Sequence, residues 1–324
     1  MSAIGTQVTV SLVEPAVLDA VPRAKKKLVV AKERGAISSA DRKRPIVKAS
    51  MWIIQILMFI GLLVAGFGPI AWSARAAVSG SQQIITDPTG IWFSPVFWVN
   101  LVHAWNGAQI GSSLGNTVIV AVGCTISTLF ISTTGAYLLS VLRPKWSPVL
   151  SGAVLATLFL PGVISLVPLY LTILHMPVIG VSLQNTFWAV WLPAGASAFN
   201  VIVLKRFFDS IPRELIEAAK IDGAGPLRVL TTLVIPLSRP IIGVVALLTI
   251  VASWKDFLWP MLVLTDPNLQ PVSVTLGGFA NGTSQPFSVQ MAAVFLTIII
   301  PVILFAIFQK QFLRGVSSAG GIKG

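Results

Sequence analysis

The sequence predicts an all-α membrane protein with six transmembrane helices and a cytoplasmic helix–turn–helix loop between spans 4 and 5. Three observations support this fold class: the composition, a series of long apolar segments and the one-sided placement of Lys and Arg. Of the 324 residues, 55% are hydrophobic and 10% are charged. A soluble domain has about a quarter charged residues, so the chain has the composition of a membrane protein.

A transmembrane helix needs about 20 consecutive, mostly apolar residues. Six segments of sufficient length follow the basic N-terminal region, near residues 51–76, 114–141, 148–172, 185–205, 238–264 and 288–309. We predict one transmembrane helix in each of them.

Basic residues predict the orientation of these spans. If there are six spans, one side carries the N-terminal segment, Arg143 with Lys145, the loop from Lys205 to Arg239, and the C-terminal tail. The opposite loops, near 78–113, 173–184 and 265–287, contain no Lys or Arg. By the positive-inside rule, both termini are expected in the cytoplasm.

The composition also argues against several functions. The formal net charge is +12, but ten of the 23 basic residues precede residue 50, in a segment predicted to be a disordered cytoplasmic extension, so a nucleic-acid surface is not expected. The single Cys124 rules out an intrachain disulfide. His103 and His175 have no metal-ligand spacing, and no phosphate-binding Gly-x-x-x-x-Gly-Lys-Ser/Thr motif occurs. We therefore expect no catalytic residues, metal or cofactor on this chain.

The longest charged passage after the N-terminal region runs from residue 211 to 236, between the fourth and fifth apolar segments. Ser210 and Pro212 suit the start of a helix, and Glu214 and Glu217 lie toward the positive end of its dipole. Such a polar helical loop between membrane spans has a shape suited to docking into another protein.

One side of the predicted loop helix is small and smooth. Helical spacing places Leu215, Ala218, Ala219 and Asp222 on this side, where they can enter a groove of a partner. Gly223 can adopt the left-handed conformation that ends a helix. An ordinary amphipathic linker helix is the alternative interpretation.

The spacing within the loop carries a family resemblance. Glu217-Ala-Ala is followed after three residues by Gly223 and, nine residues later, by Leu233-Val-Ile-Pro236. This pattern resembles the cytoplasmic EAA loop of the transmembrane permease subunits of ABC importers. Its full spacing, on the loop between the fourth and fifth of six spans, favours the resemblance over the linker interpretation.

The resemblance extends over about residues 110–324 and is closest to the carbohydrate-uptake branch, the MalG-like permeases. Motifs that carry it include Asn116-Thr117, Gly135 to Ser140, Leu160-Pro161, Asn185-Thr186, Phe257 to Pro260 and Phe312 to Gly315. It divides the chain into a basic extension (1–48), a first span with an external loop (49–113), a permease core (114–312) that contains the coupling loop 206–237, and a cytoplasmic tail (313–324).

The resemblance implies a function and a set of partners. The chain would be a multi-pass permease subunit in a prokaryotic inner membrane, importing a carbohydrate delivered by an external binding protein. It would pair with a second, different permease subunit and with two ATP-binding cassette subunits that hold ATP and Mg. Contact with the ATPase is expected from Leu215, Glu217, Ala218, Ala219, Asp222, Gly223 and Pro236.

Polar residues within the spans are candidates for the translocation path: Asn185, Asn200, Trp254 and Asp256. Helix–helix hydrogen bonds explain the two asparagines equally well. The family often has Asn before the acidic residue, whereas this chain has Lys255. Intramembrane ionisable residues are functional candidates, although a lysine near the interface can also extend toward the headgroups.

Two other classes of function remain as alternatives. A self-contained secondary transporter or channel would need coupling carboxylates within the spans, and Asp256 is the only deep candidate. A polytopic membrane enzyme would need a cluster of catalytic side chains, which the sequence lacks. An importer subunit powered by separate ATPases is therefore favoured.

Overall fold

The structure is a computed structural model that describes residues 45–90, 95–177, 180–281 and 285–320. Throughout these ranges the regular secondary structure is helical, in agreement with the predicted all-α class. Nearly all of the predicted N-terminal extension and the last four residues of the tail lie outside the described residues. The division of the chain at residues 48, 113 and 312 stays a prediction.

The described residues form fifteen α-helices, two π-helical segments and two 3₁₀ segments. The α-helices are α1 (Pro45–Ala77), α2 (Ser81–Thr86), α3 (Val99–Gly107), α4 (Ile110–Tyr137), α5 (Ser147–Thr157), α6 (Leu166–Leu174), α7 (Trp188–Gly195), α8 (Ala198–Asp209), α9 (Arg213–Ile221), α10 (Pro226–Val229), α11 (Ile235–Leu237), α12 (Arg239–Lys255), α13 (Leu258–Val263), α14 (Val272–Asn281) and α15 (Phe287–Gly320). The π-helical segments Leu138–Leu142 and Leu230–Val234 continue α4 and α10, and the 3₁₀ segments are Gly162–Ser165 and Pro267–Leu269.

The chain divides into two units after Val64, and the described residues of the first unit are 45–64. These residues form the beginning of α1. Its large apolar side chains, such as Trp52, Leu57 and Phe59, are exposed. Exposed apolar side chains are what a helix in contact with lipid requires, because hydrocarbon takes the place of water as the solvent.

Only some of the predicted spans are single straight helices. Helix α1 and the continuous helix Ile110–Leu142 are long and apolar enough to cross a membrane. Three further pairs meet the same test only together: Ser147–Thr157 with Gly162–Leu174, bent by 100°; Trp188–Gly195 with Ala198–Asp209, bent by 44°; and Pro226–Leu237 with Arg239–Lys255, bent by 80°. By length and composition the described residues hold two spans, or up to five if each bent pair crosses as one. The count of six stays a prediction.

Proline accounts for the sharpest of these bends. Pro161 lies in the break between α5 and the 3₁₀ segment before α6, with an extended ψ of 128°. Proline has no N–H for the helical ladder, and it disfavours helical geometry at the residue before it. The predicted third span is therefore interrupted, although its two halves are as apolar as a continuous span.

The second unit is organised around α4, which packs against α7, α8 and α12. The approach to α7 is close because residue 123 is glycine: a Cβ there would overlap the Trp191 ring. Buried residues form three clusters, one of which joins α4, α8 and α12 to the residues of the polar loop. Helix α4 thus connects the loop to the rest of the unit.

Candidate functional site: a polar loop and an internal cavity

The polar loop is attached to the protein through one side of α9. Ile216 is 8% exposed and belongs to a buried cluster with Ile211, Phe208 and Leu204. Helix α9 begins at Arg213, directly after Pro212, as the sequence predicts. The hydroxyl of Ser210 donates to the carbonyl of Phe207 and does not cap α9. Ile216 is therefore the anchor that sets which side of α9 faces outward.

The outward side of α9 carries exposed apolar side chains. Ala218 is exposed, Leu215 is 44% exposed and Ile221 is 86% exposed. With 3.6 residues per turn, Ala218 and Ile221 lie on the side opposite Ile216. Nothing in the sequence pattern singled out Ile221, whose hydrophobicity alone would place it in the core.

Several predicted contact residues lie at other places on the loop. Glu217 and Asp222 are exposed beside the apolar side. Ala219, predicted to share the open side with Ala218, is partly buried against the cluster around Ile216. Pro236 is half-buried in α11, outside α9. The structure thus brings together Leu215, Glu217, Ala218 and Asp222, and it turns Ala219 inward.

Gly223 ends α9 in the left-handed conformation that the sequence predicts, with φ of 77°. Its N–H donates to the carbonyl of Lys220 at 3.0 Å, and the N–H of Ala224 reaches the carbonyl of Ala219 at 2.9 Å. These two bonds form a Schellman motif. No atom lies within 4 Å of the place where a Cβ would be, so a side chain here is opposed by the backbone conformation alone.

The second arm of the loop is tied to α4 by a buried tyrosine. The hydroxyl of Tyr137 donates to the carbonyl of Pro226 at 2.8 Å, at the first residue of α10. Val229 and Val234, which follow in the same arm, are buried in the same cluster as Tyr137. Both arms of the loop therefore rest on one buried cluster.

The carboxylate of Asp209, at the end of α8, links the start of the loop to the turn at the end of the π-helical segment Leu138–Leu142. Asp209 accepts hydrogen bonds from Ser140 Oγ at 2.8 Å, Arg143 Nη2 at 2.7 Å and Lys205 Nζ at 2.7 Å. Partial burial disfavours its charged form, but these three donors outweigh that effect and hold the pKa of Asp209 below its usual value. Arg143 sits at a positive φ of 44°, which this contact helps to maintain.

The predicted translocation-path residues fall into two groups. A cavity of about 1030 Å³ lies among α4, α7, α8, α12 and α13, and Asn200 and Asp256 line it. Trp254 is buried and is not among the lining residues. Asn185 also lies elsewhere: its Oδ1 accepts the N–H groups of Thr265 at 2.7 Å and Asp266 at 2.9 Å. Asn185 therefore connects the segment before α7 to the segment after α13 by hydrogen bonds.

Most polar groups in the cavity wall are already hydrogen-bonded. Thr128 donates to the carbonyl of Ala194, and Thr249 and Ser253 donate to carbonyls one turn earlier in α12. Lys255, which sequence analysis placed at the interface as an alternative, also lines the cavity.

The chain is similar to a known protein family, to individual permease proteins and to a solved structure. Residues 35–318 match the family model described as the binding-protein-dependent transport system inner membrane component. The probable ABC transporter permease protein YurM of Bacillus subtilis is 32% identical over 287 residues, covering 87% of this chain and 91% of that protein. The sn-glycerol-3-phosphate transport system permease protein UgpE of Agrobacterium fabrum is 29% identical over 281 residues, covering 84% and 96%.

A solved structure has the same fold. A chain of a bacterial ABC transporter involved in the import of the acidic polysaccharide alginate superposes with a TM-score of 0.69. The match covers 85% of this chain and 99% of that chain, at 22% sequence identity. At this identity the likeness concerns the fold alone.

Proposed function

The chain belongs to the family of binding-protein-dependent transport system inner membrane components, and from this premise we propose that it imports a carbohydrate by coupling its spans to separate ATPase subunits through the loop at 211–236. The main support for the proposal is that α4, α8 and α12 contribute both to the buried cluster beneath the loop and to the wall of the cavity. The loop end involves Tyr137 in α4, Phe208 in α8 and Val245 in α12. The same helices line the cavity through Thr128, Asn200 and Thr249.

Shared helices provide a mechanical route from the loop to the cavity. Packed helices move as rigid bodies, so a displacement of α9 is passed to α4, α8 and α12 and changes the cavity they enclose. The exposed side of α9, with Ala218 and Ile221, is the surface that an ATPase cleft would grip. Closure of the ATPases on ATP and Mg would then move α9 and switch access to the cavity.

The proposal includes the assembly and its orientation. Six spans with both termini in the cytoplasm place the loop on the ATPase side of a prokaryotic inner membrane. Two ATP-binding cassette subunits, a second and different permease subunit and an external binding protein complete the transporter. A carbohydrate or polyol cargo is supported by relatives whose names refer to sn-glycerol 3-phosphate.

Site-directed crosslinking of the purified transporter tests the coupling role. Ala218→Cys, treated with a short reagent that joins a thiol to an amine, should crosslink to a lysine of a co-purifying ATPase subunit and lose the crosslink when the ATPase is removed. Ser112→Cys is the matched control, since Ser112 is equally exposed but lies at the start of α4, at the predicted external end. Absence of any co-purifying ATPase, or equal crosslinking from Ser112→Cys, would contradict the proposal.

A further inference from the structure

We infer that the cavity binds an anionic cargo, such as a sugar acid or a phosphorylated polyol, through the ammonium group of Lys255 and the amide of Asn200. This inference rests on the proposed import function and specifies the class of its cargo. Lys255 is the last residue of α12, and Asn200 lies in the first turn of α8, on another wall of the same cavity.

These two side chains stand out because their polar groups remain available. Within the described part of the chain, no hydrogen bond engages the side-chain amide of Asn200, and no carboxylate lies within 4.0 Å of the Lys255 amine. The hydroxyls of Thr128, Thr249 and Ser253 are occupied by backbone carbonyls. A solute entering the cavity therefore meets the ammonium of Lys255 and the amide of Asn200, neither of which is engaged by the described residues, beside the carboxylate of Asp256.

The neighbouring acid does not neutralise Lys255 in this geometry. Asp256 follows in sequence, but its carboxylate does not come within 4.0 Å of the Lys255 amine, and its backbone carbonyl accepts the hydroxyl of Ser273 at 2.7 Å. The chain leaves helical geometry at Asp256, where ψ is 121°. Lys255 and Asp256 line the same cavity, but their charged groups are more than 4.0 Å apart, so the Lys255 ammonium has no ion-pair partner among the described residues.

The chemistry of the two groups defines the cargo. The ammonium of Lys255 is exposed at the cavity wall, where an anionic group can form a charge-assisted hydrogen bond with it. An amide both donates to and accepts from hydroxyl groups. The volume is also sufficient, since small-molecule sites usually occupy about 300–1,000 Å³. A carboxylated or phosphorylated carbohydrate has both features in one molecule.

Comparing the uptake of many compounds by cells with and without this chain identifies the charge class of the cargo, and the cargo need not be known beforehand. Cells of the source organism with and without this chain receive a mixture of neutral and anionic carbohydrates in matched pairs, including glycerol with sn-glycerol 3-phosphate, glucose with glucuronate, and neutral with uronate oligosaccharides. Depletion of each compound from the medium is followed by mass spectrometry. We expect depletion of one or more anionic members, and not of their neutral counterparts, to depend on the chain.

Substitutions at Lys255 then assign the charge to this residue. At low cargo concentration, Lys255→Gln should reduce the chain-dependent uptake roughly tenfold to a hundredfold, which is the loss expected for one charge-assisted hydrogen bond. Lys255→Arg should retain most of it. Lys145→Gln, an equal loss of charge at an exposed residue outside the cavity, should leave uptake unchanged.

The outcomes separate this inference from the proposed function. Chain-dependent depletion of neutral compounds would overturn the anionic cargo and leave carbohydrate import intact. Anion uptake that persists in Lys255→Gln would remove Lys255 from the site. If the chain affects the depletion of no compound, carbohydrate import is rejected, and the anionic cargo is rejected with it.

Discussion

The loop at 211–236 and the cavity beside Lys255 lie on the same helices but are constructed in opposite ways. At the loop, Ile216 and Tyr137 are buried in one cluster, and Asp209 receives hydrogen bonds from three side chains. At the cavity, Asn200 and Lys255 extend from the wall with their polar groups unengaged by the rest of the described chain. Under the proposed function, the loop needs fixed contacts to transmit movement, whereas the cavity needs polar groups that are free to bind a solute. Substitutions at the two regions should therefore have different signatures.

The largest effect is expected at the end of α9. Gly223→Val forces a β-branched residue into the left-handed region, which costs about 1–2 kcal/mol or more, and it opens the Schellman motif that orients the loop. ATP-dependent uptake should fall at least about fivefold while the chain remains in the membrane. Gly225→Val is the matched control, because Gly225 has φ of −67° and ψ of 165°, which valine adopts readily. Equal uptake by the two variants would show that the geometry at Gly223 does not matter.

A smaller but clear effect is expected at Asp209. Asp209→Asn removes the charge that holds Arg143 and Lys205, in a site where the carboxylate is about 30% exposed, so the free energy of unfolding should fall by about 1–2 kcal/mol. Thermal unfolding of the purified transporter measures this loss. Asp87→Asn should change stability much less, because Asp87 is 3.9 Å from Arg75 and more exposed. A larger loss in Asp87→Asn would contradict the assigned role.

The pH dependence of the same carboxylate gives an independent check. The folded-state pKa of Asp209 lies below its unfolded value of about 3.9, so its stabilising contribution is complete above that value. The contribution is lost as the pH falls through the folded pKa. The difference in unfolding temperature between wild type and Asp209→Asn should thus be constant from about pH 7 to 5 and shrink below about pH 4. A difference that grows on acidification would refute this assignment.

A modest effect is expected at the hydroxyl that joins α4 to the second arm of the loop. Tyr137→Phe keeps the buried ring and removes the hydrogen bond to the carbonyl of Pro226, at a cost of about 0.5–1.5 kcal/mol. Unfolding temperature and uptake should both decrease slightly. Tyr170→Phe serves as the control, since Tyr170 packs against a different cluster. If Tyr170→Phe destabilises the protein as much as Tyr137→Phe, the contact with Pro226 is not important.

The smallest effect on stability is expected at the cavity, where a substitution should change uptake but not the free energy of unfolding. Asn200→Ala removes an amide that has no hydrogen-bond partner within the described residues, so the free energy of unfolding should change by less than about 0.5 kcal/mol. The apparent KM for uptake should nevertheless rise severalfold. If Asn200→Ala lowered the free energy of unfolding and uptake together, the Asn200 amide would support the fold and would not be a binding group for the cargo.

Much of the candidate loop could be predicted from the sequence because its determinants are local. The left-handed conformation of Gly223 and the helix start after Pro212 are confirmed, since both follow from the intrinsic preferences of single residues. The inward position of Ala219 and the exposure of Ile221 were not predicted. They depend on where Ile216 meets the cluster around Phe208, a contact between distant parts of the chain.

The cavity shows the opposite balance. Of the four polar residues that the sequence proposed, Asn200 and Asp256 line it, whereas Asn185 braces the segment after α13 and Trp254 is buried elsewhere. Residue type indicates only that a polar group within an apolar segment needs a partner. Whether that partner is another helix or a solute depends on how the helices are packed.

The sequence by itself determined the helical membrane class, the family and the loop motif, because composition, charge placement and short-range spacing depend on neighbours along the chain. Tertiary structure alone decided the contacts of Asp209 and the availability of Lys255. Both depend on how α4, α8 and α12 pack against their neighbours. Residues far apart in sequence come together in this packing, and their contacts leave no regular pattern along the chain.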